Sequence, residues 1–364
     1  MEWSVLVPVL AMVVLALAWF RHDHWSLLVV VAAALIGGVL AAVHHAEVVA
    51  HKVGEPFGSL ILAVAVTVIE VGLIVTLMIS GGAGSSSYAR DTVFAAVMIT
   101  LNGMVGVSLL VGALKHNLVA FNAAGTGSAV ATVITLAGVT MVLPSFTTSA
   151  AGREYSSSQL GFAAVASLVL YAAFVFTQTI RHRDFFLPVA SDDQGRFTGL
   201  LDLDGDGHAD PPETREAWLS LGLLIAALVS VVGLAQLLSP TIEQTVRDLG
   251  FPYAVVGVVI ALLVLTPESL AALRNARQNR VQISLNLAYG SAMASIGLTI
   301  PTIAVAMIWL SGPLELGLEP TQMILLAITV VVTSFTVVQG RAYALQGVVH
   351  LVLLAAFLFL SAQP

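Results

Sequence analysis

Apolar segments long enough to cross a membrane recur along the whole of this 364-residue chain. Hydrophobic residues make up 58% of the chain and charged residues only 10%, so a water-soluble globule could not hide its apolar groups. A transmembrane helix needs about 20 apolar residues. We expect an all-α polytopic membrane protein, embedded in the lipid bilayer, whose eleven transmembrane helices lie at roughly 4–20, 25–43, 58–80, 92–114, 128–147, 159–179, 217–238, 251–273, 283–309, 322–338 and 342–361.

The basic residues predict how these spans are oriented. Ten of the 14 Lys and Arg residues fall on the same side as the N-terminus, and basic residues favour the cytoplasmic side of a membrane. We therefore expect a multi-pass protein of the cell inner (plasma) membrane, with its N-terminus in the cytoplasm and its C-terminus outside. The chain has no cysteine, which excludes disulfides and thiolate metal sites, and it has no basic segment suited to nucleic acid.

An acidic loop divides the predicted spans into two sets of five. Residues 181–216 hold nine acidic side chains and four arginines. Since five is odd, the two sets run in opposite directions through the membrane, which is the arrangement of an inverted repeat. The predicted organisation is an extra N-terminal helix (1–24), a first five-helix repeat (25–180), the acidic cytoplasmic loop (181–216) and a second five-helix repeat (217–364).

Two glutamates are the acidic residues that lie deepest in apolar segments. Glu70 and Glu268 each occupy the second span of a five-helix set. A carboxylate in hydrocarbon is costly and usually faces a cavity where a cation or a proton neutralises it. Thr67, one helical turn before Glu70, is either an oxygen ligand or an interhelical hydrogen-bonding residue. The pattern predicts an ion site that the two carboxylates share.

Local flexibility is predicted beside both glutamates. Pro267 directly precedes Glu268 and cannot donate a helical hydrogen bond, which frees a carbonyl oxygen. Gly72, two residues after Glu70, is the only comparable point in the first half. The sequence therefore predicts a freed carbonyl oxygen beside Glu268, whereas a break in the first helix is indicated less strongly.

The segments around these glutamates resemble a known family. GEPFGSLILAVAVTVIEVGLI in the first half and LTPESLAALRNARQNRVQISLNLAYGSAMASIGLTIP in the second are similar to the two inverted repeats of the proton-coupled calcium antiporter family, a branch of the cation/calcium exchanger superfamily, and most closely to its bacterial ChaA type. The resemblance implies that Glu70 and Glu268 are alternately protonated, cation-binding carboxylates. It also implies oxygen ligands in the following spans, where the family carries a Gly-Ser element; the matching positions here are Asn102 with Gly103, and Gly290 with Ser291.

The resemblance also implies the activity. We expect a secondary active transporter that exchanges Ca²⁺ for H⁺ by alternating access, without a cofactor; the alternative is a Na⁺(K⁺)/H⁺ antiporter using the same site. Ala292, Met293 and Ala294 stand where many relatives have more polar residues, which leaves the ion preference open. An intramembrane hydrolase is disfavoured because the chain has no HExxH or GxSxG motif, and a channel would more often carry a filter loop.

A second calcium site is predicted in the acidic loop. DLDGDGHADPPE, residues 202–213, follows the spacing of an EF-hand loop, with glycine at the sixth position and glutamate at the twelfth. The expected ligands are Asp202, Asp204, Asp206, the carbonyl of His208, Asp210 and Glu213. The alternative is a solvated acidic linker that binds no metal.

Overall fold

The computed structural model describes residues 3–19, 25–54, 57–80, 85–187, 189–191, 197–200, 214–310 and 312–364. The EF-hand-like segment 202–213 lies outside the described residues. Within them, the regular secondary structure is helical apart from two short antiparallel strand pairs and an isolated bridge between Glu154 and Glu315.

The described residues of the first half form seven α-helices, and three of them continue into helix of a different pitch. A π-helical segment, Ile99–Met104, joins α4 to α5; Gly138–Val142 extends α6 and Thr177–Arg181 extends α7 in the same way. The α-helices are α1 (Trp3–Ala18), α2 (Trp25–Val53), α3 (Phe57–Ser80), α4 (Tyr88–Met98), α5 (Val105–His116), α6 (Ala123–Ala137) and α7 (Ser157–Phe176).

Six α-helices lie in the part of the second half that the structure describes. They are α8 (Thr214–Asp248), α9 (Ala254–Arg277), α10 (Val281–Gly297), α11 (Thr299–Ala306), α12 (Pro320–Val338) and α13 (Ala344–Ala362). Strand β1 (Val119–Ala120) pairs with β4 (Arg341–Ala342), and β2 (Val189–Ser191) pairs with β3 (Phe197–Leu200).

The predicted spans are confirmed in type and approximately in number. Ten helical segments of the described chain are long and apolar enough to cross a membrane, with α4–α5 and α10–α11 each counted as one. The 16-residue α1 is apolar but shorter. The arrangement therefore fits the all-α polytopic protein expected from the sequence.

Two helices are about ten residues longer than predicted. The span expected at 25–43 continues to Val53, and the one expected at 217–238 continues to Asp248. Both extensions alternate polar residues with buried ones; on α8 the buried side chains include Ser239, Glu243 and Val246. Hydropathy falls along such an amphipathic extension, although helical packing continues, and Pro240 does not end α8.

The chain forms two compact units, and each unit takes helices from both halves of the sequence. The first unit contains α1, α2, α3, α8, Tyr88 and α9 as far as Val264; the second contains the remaining helices and α9 from Leu265. In the first unit α2 packs along α8, with α1 and α3 beside them. The division into inverted five-helix repeats stays a prediction from the sequence.

In the second unit α5 and α13 approach closely. A Cβ atom added to Gly347 would lie 2.5 Å from the backbone nitrogen of Leu110, and one added to Gly106 would lie 3.0 Å from Cβ of His350. Small residues allow helices in a membrane to pack at such short range. This crossing holds α13 against the π-helical segment.

Polar contacts join the helix ends of the second unit in two separate groups. At one end, β1 pairs with β4 and Lys115 donates to the carbonyl of Arg277 at 3.0 Å. At the other end, Arg90 pairs with Asp91 at 2.8 Å and with Glu315 at 3.4 Å. Because consecutive helices cross in opposite directions, their ends alternate between these two groups.

Candidate functional site

Glu70 is a buried carboxylate in the middle of α3. Its residue exposure is 2%, and its neighbours Ile69 and Leu73 are buried as well. Thr67 lies one helical turn earlier and is 7% exposed. The Thr67 hydroxyl has no hydrogen-bond partner among the described residues. Residues three apart share a helix face, so α3 presents a carboxylate and an available hydroxyl on the same side.

Gly72, the flexible point named from the sequence, has a packing role in the structure. Helix α3 continues without interruption from Phe57 to Ser80. A Cβ atom on Gly72 would come within 2.5 Å of Cγ2 of Val232 in α8. The glycine is needed where α3 and α8 touch, so the structure gives Gly72 a packing role within an unbroken helix.

Pro267 also lies inside a continuous helix. Helix α9 runs from Ala254 to Arg277 through the proline. Because Pro267 has no amide hydrogen, the carbonyl of Leu263, four residues earlier, receives no helical hydrogen bond from it. The freed carbonyl oxygen that the sequence predicts is thus compatible with an unbroken helix.

Glu268 is less deeply buried than Glu70. It is half-buried, although its Oε2 atom is shielded from solvent. Tyr171 of α7, which is 6% exposed, interacts electrostatically with Glu268. The Tyr171 side chain packs on Gly297 of α10, where an added Cβ would lie 2.9 Å away. No sequence signal pointed to Tyr171, since its proximity to Glu268 depends on how α7 packs.

Gly290 and Ser291 lie on α10 in the same unit as Glu268. Ser291 is 8% exposed. A Cβ atom added to Gly290 would meet no atom within 4 Å, so open space lies beside this part of α10. A small residue next to a buried hydroxyl fits the expected ion-binding element, and the role of Ser291 as a ligand stays a prediction.

Asn102 lies in the π-helical segment and belongs to a buried hydrogen-bond network. Its Nδ2 donates to Oγ1 of Thr329 at 3.0 Å, and its Oδ1 lies 3.3 Å from Nδ1 of His350. Nε2 of His350 lies 3.2 Å from Oγ1 of Thr336. The adjacent Gly103 allows Leu354 to approach: an added Cβ would lie 3.3 Å from its Cδ2. Asn102 thus links the π-helical segment to α12 and α13, and its predicted role as a cation ligand stays untested.

The predicted residues are divided between the units. Glu70 and Thr67 lie together in the first unit, whereas Glu268, Asn102 and Ser291 belong to the second. In the described part of the chain, no three His, Asp or Glu residues form a group that could hold a metal ion.

Glu243 is a buried acid that the sequence analysis missed. It is 6% exposed and lies on α8, past the predicted end of that span. It therefore adds a buried acid outside the predicted spans, and leaves Glu70 and Glu268 as the acids placed deepest within them. The helical spacing of Ser239, Glu243 and Val246 was the available signal, because it continues the buried face of α8.

Buried carboxylates in the helices of a polytopic membrane protein are characteristic of ion-translocating transporters. The model of the family described as sodium/calcium exchanger protein matches residues 24–180 and 219–363, on either side of the acidic loop. The chain belongs to this family.

Named relatives cover nearly the whole chain. The chain is 42% identical to the putative ionic transporter y4hA of Sinorhizobium fredii (strain NBRC 101917 / NGR234), over 100% of this chain and 96% of the relative. It is 32% identical to the sodium-potassium/proton antiporter ChaA of Escherichia coli (strain K12), over 98% and 95%. It is 22% identical to the Ca²⁺/H⁺ antiporter of Aphanothece halophytica, over 95% and 93%.

Solved structures share the fold. The structure of native YfkE aligns with a TM-score of 0.74 over 99% of both chains, at 16% sequence identity. The H⁺/Ca²⁺ exchanger CAX aligns with a TM-score of 0.68 over 98% of this chain and 92% of the other, at 15% identity.

Proposed function

We propose that this chain is a plasma-membrane antiporter that exchanges Ca²⁺ for protons, with Glu70 and Glu268 as the carboxylates that bind either ion. The observation that carries the proposal is Glu70 itself, a 2%-exposed carboxylate in the middle of a membrane-crossing helix. Thr67 supplies a buried hydroxyl on the same helix face. No catalytic step is involved, so the chain acts as a transporter and not as an enzyme.

Exchange follows from competition for the same oxygens. A carboxylate inside the membrane needs a neutralising partner; a proton bound to it removes the charge that attracts a cation, and a bound cation displaces the proton. If the empty, charged protein rarely changes the side to which it opens, transport of one ion requires return of the other. Two carboxylates balance one Ca²⁺, which gives two protons per calcium ion.

A monovalent cation is the second candidate for the transported ion. Ca²⁺ takes six to eight oxygen ligands, which backbone carbonyls, Thr67 and Ser291 would supply beside the glutamates. A Na⁺(K⁺)/H⁺ antiporter using the same site is favoured by one observation: the relative that is 32% identical over 98% of the chain is called a sodium-potassium/proton antiporter.

The cytoplasmic N-terminus is part of the proposal. The helix ends near Lys115, Arg277 and Arg341 meet at one end of the second unit. This end carries the basic residues that the positive-inside rule assigns to the cytoplasm. The orientation can be tested with the single-cysteine variants Gln278→Cys and Gly152→Cys and a membrane-impermeant thiol reagent. Added outside intact cells, the reagent should label only Gly152→Cys.

The acidic loop is proposed to bind regulatory Ca²⁺ through residues 202–213. Glu213→Gln in the full-length protein removes the expected bidentate ligand. Calcium titration should then show one weaker class of site, whereas Glu216→Gln, outside the loop pattern, should leave it unchanged. Equal affinities in wild type and Glu213→Gln would leave the solvated linker as the explanation.

The experiment that tests the function uses everted membrane vesicles with a pH-sensitive dye. An imposed proton gradient is established, and Ca²⁺, Na⁺ and K⁺ are added separately. Proton efflux on calcium addition, lost in both Glu70→Gln and Glu268→Gln, supports Ca²⁺/H⁺ exchange. Efflux only with Na⁺ or K⁺ would select the second candidate, and equal calcium uptake with and without the gradient would contradict coupling.

A further inference from the structure

His350 is a fully buried side chain that exchange at Glu70 and Glu268 does not use. It lies in the last membrane-crossing helix, α13, with an exposure of 0%. Burying polar atoms without hydrogen bonds is costly, and both ring nitrogens have partners. Nδ1 lies 3.3 Å from Oδ1 of Asn102, and Nε2 lies 3.2 Å from Oγ1 of Thr336. The ring therefore joins α13 to the π-helical segment and to α12.

The contacts on the other side of Asn102 define how its amide group is oriented. Nδ2 donates to Oγ1 of Thr329 at 3.0 Å and also lies 3.8 Å from Sδ of Met98. The Thr329 hydroxyl lies 3.7 Å from the same sulfur. A thioether sulfur can only accept, so the Thr329 hydrogen is directed at Met98 and the Thr329 oxygen receives the amide. The amide oxygen of Asn102 therefore faces His350.

For a neutral imidazole, this orientation of Asn102 fixes the tautomer of His350. Because an amide oxygen can only accept, Nδ1 carries the ring hydrogen and Nε2 accepts one. The donor to Nε2 is the hydroxyl of Thr336, which also lies 3.0 Å from the carbonyl of Val332 in its own helix. The carbonyl of Leu101, next to Asn102 in the π-helical segment, also interacts with the ring. The hydrogen bonds thus run from Thr336 through His350 to the π-helical segment.

The amide orientation decides what Asn102 offers to a cation. A carboxamide binds a hard cation through its oxygen and not through its NH₂ group. That oxygen has two lone pairs, and His350 occupies one of them. Helix α10, which carries Ser291 and the open space beside Gly290, packs against the π-helical segment that holds Asn102. Hydrogen bonds from groups that do not touch the metal commonly orient the ligands that do.

We propose that His350 is a positioning residue for the transported cation. Its Nδ1–H group holds the Asn102 carboxamide with the oxygen available as a ligand, and Thr336 holds the ring in the tautomer that this contact requires. The inference rests on the proposed function, because the ligand is the cation exchanged at Glu70 and Glu268. His350 does not touch the cation, so it acts on cation affinity through Asn102 and leaves the maximal rate nearly unchanged.

The test distinguishes the two ring nitrogens by substitution. Glutamine places its amide nitrogen near the position of Nε2 and asparagine near that of Nδ1, so His350→Gln loses the donor to Asn102 and His350→Asn keeps it. Proton flux through the full-length protein in vesicles is measured against calcium concentration. His350→Gln should raise the half-maximal calcium concentration about tenfold, as for loss of a group that supports a metal ligand. The maximal rate should stay close to that of the wild type, and His350→Asn should recover most of the affinity.

A double-mutant cycle shows whether the effect passes through Asn102. Asn102→Ala should itself raise the half-maximal calcium concentration, because it removes the oxygen. Adding His350→Gln to Asn102→Ala should change that concentration by less than about twofold, since residues that act through one contact are not additive. A full effect of His350→Gln in the Asn102→Ala background would overturn the positioning role.

Thr336→Val leaves the ring in place but removes the donor to Nε2. It should raise the half-maximal calcium concentration roughly threefold, in line with loss of one hydrogen bond. Ser334→Ala is the matched control on α12, because the Ser334 hydroxyl donates to the carbonyl of Val330 in its own helix at 2.7 Å. A wild-type value in Thr336→Val would overturn the inference, and this variant decides it alone if His350→Gln does not fold.

A purely structural role of His350 predicts a different pattern. In that case His350→Gln and His350→Asn lose thermal stability in detergent and have equal half-maximal calcium concentrations, which would overturn the inference. Folded variants that differ in calcium affinity, with His350→Asn the closer to wild type, support it. Wild-type flux in Glu70→Gln would instead refute the proposed function, so the two failures are distinguishable.

Discussion

The two units surround their intramembrane glutamates differently. Glu70 in the first unit is 2% exposed among apolar residues, with Thr67 as its available hydroxyl. Glu268 in the second unit is half-buried, interacts with Tyr171 and belongs to the unit in which α10 has open space beside Gly290. Carboxylates at corresponding sequence positions are therefore not equivalent: Glu70 is deeply buried in α3, whereas Glu268 is half-buried and has more room to adjust.

Shortening each carboxylate by one methylene should show the largest difference between the units. Glu70→Asp should reduce calcium-driven proton flux about a hundredfold, because a displacement of about 1 Å in a rigid site has an effect of that size. Glu268→Asp should reduce it about tenfold, because its environment is less tightly packed. Initial rates of dye quenching in vesicles measure both, and equal losses would remove the distinction.

Glycine substitutions should lower the stability of the protein more in the first unit than in the second. Gly72→Ala places a methyl group against Val232 and should lower the free energy of unfolding by about 1–3 kcal/mol, the usual cost of overpacking. Gly290→Ala meets open space and should change it by less than about 0.5 kcal/mol. Unfolding in detergent measures the difference, and Gly72→Ala combined with Val232→Ala should recover part of the loss. A stable Gly72→Ala protein would contradict the packing role.

The hydroxyl of Thr67 should have a smaller effect on calcium affinity. Thr67→Val keeps the shape of the side chain and should weaken calcium binding roughly fivefold, corresponding to about 1 kcal/mol for one polar contact. Thr76→Val is the matched control, because its hydroxyl already donates to the carbonyl of Gly72 at 2.7 Å. Calcium titration of the purified proteins should show unchanged affinity only in the control. A wild-type affinity in Thr67→Val would exclude the hydroxyl as a ligand.

Removing the Tyr171 hydroxyl should have the smallest effect. Tyr171→Phe keeps the ring that packs on Gly297 and should lower the exchange rate about two- to threefold, in line with loss of one hydrogen-bonding group. The same measurement on Tyr155→Phe, whose hydroxyl donates to the carbonyl of Val139 outside the surroundings of Glu268, gives the reference. An equal effect of both changes would remove Tyr171 from the site.

The sequence predicts those features that depend only on residues close together in the chain. Membrane-length apolar segments identify the helices, and a carboxylate within such a segment is conspicuous, which is why Glu70 and Glu268 could be identified without a structure. Glu243 was not identified as a buried acid from the sequence because it follows the apolar part of α8. There, only the spacing of buried residues shows that the packed helix continues.

Contacts between distant segments could not be predicted in this way. Asn102 was recognised as a polar residue in a span, but its partners Thr329 and His350 lie more than 200 positions away. Likewise, Gly72 is compatible with either flexibility or close packing, and only the position of Val232 decides between them.

Proton release on calcium binding tests the central claim most directly. Purified full-length protein in weakly buffered detergent solution is titrated with Ca²⁺ near neutral pH, in a Glu213→Gln background that weakens the proposed loop site. Competition at Glu70 and Glu268 predicts a stoichiometric proton release that falls in Glu70→Gln and in Glu268→Gln. Calcium binding without proton release, or release that is unchanged in both variants, would contradict the account.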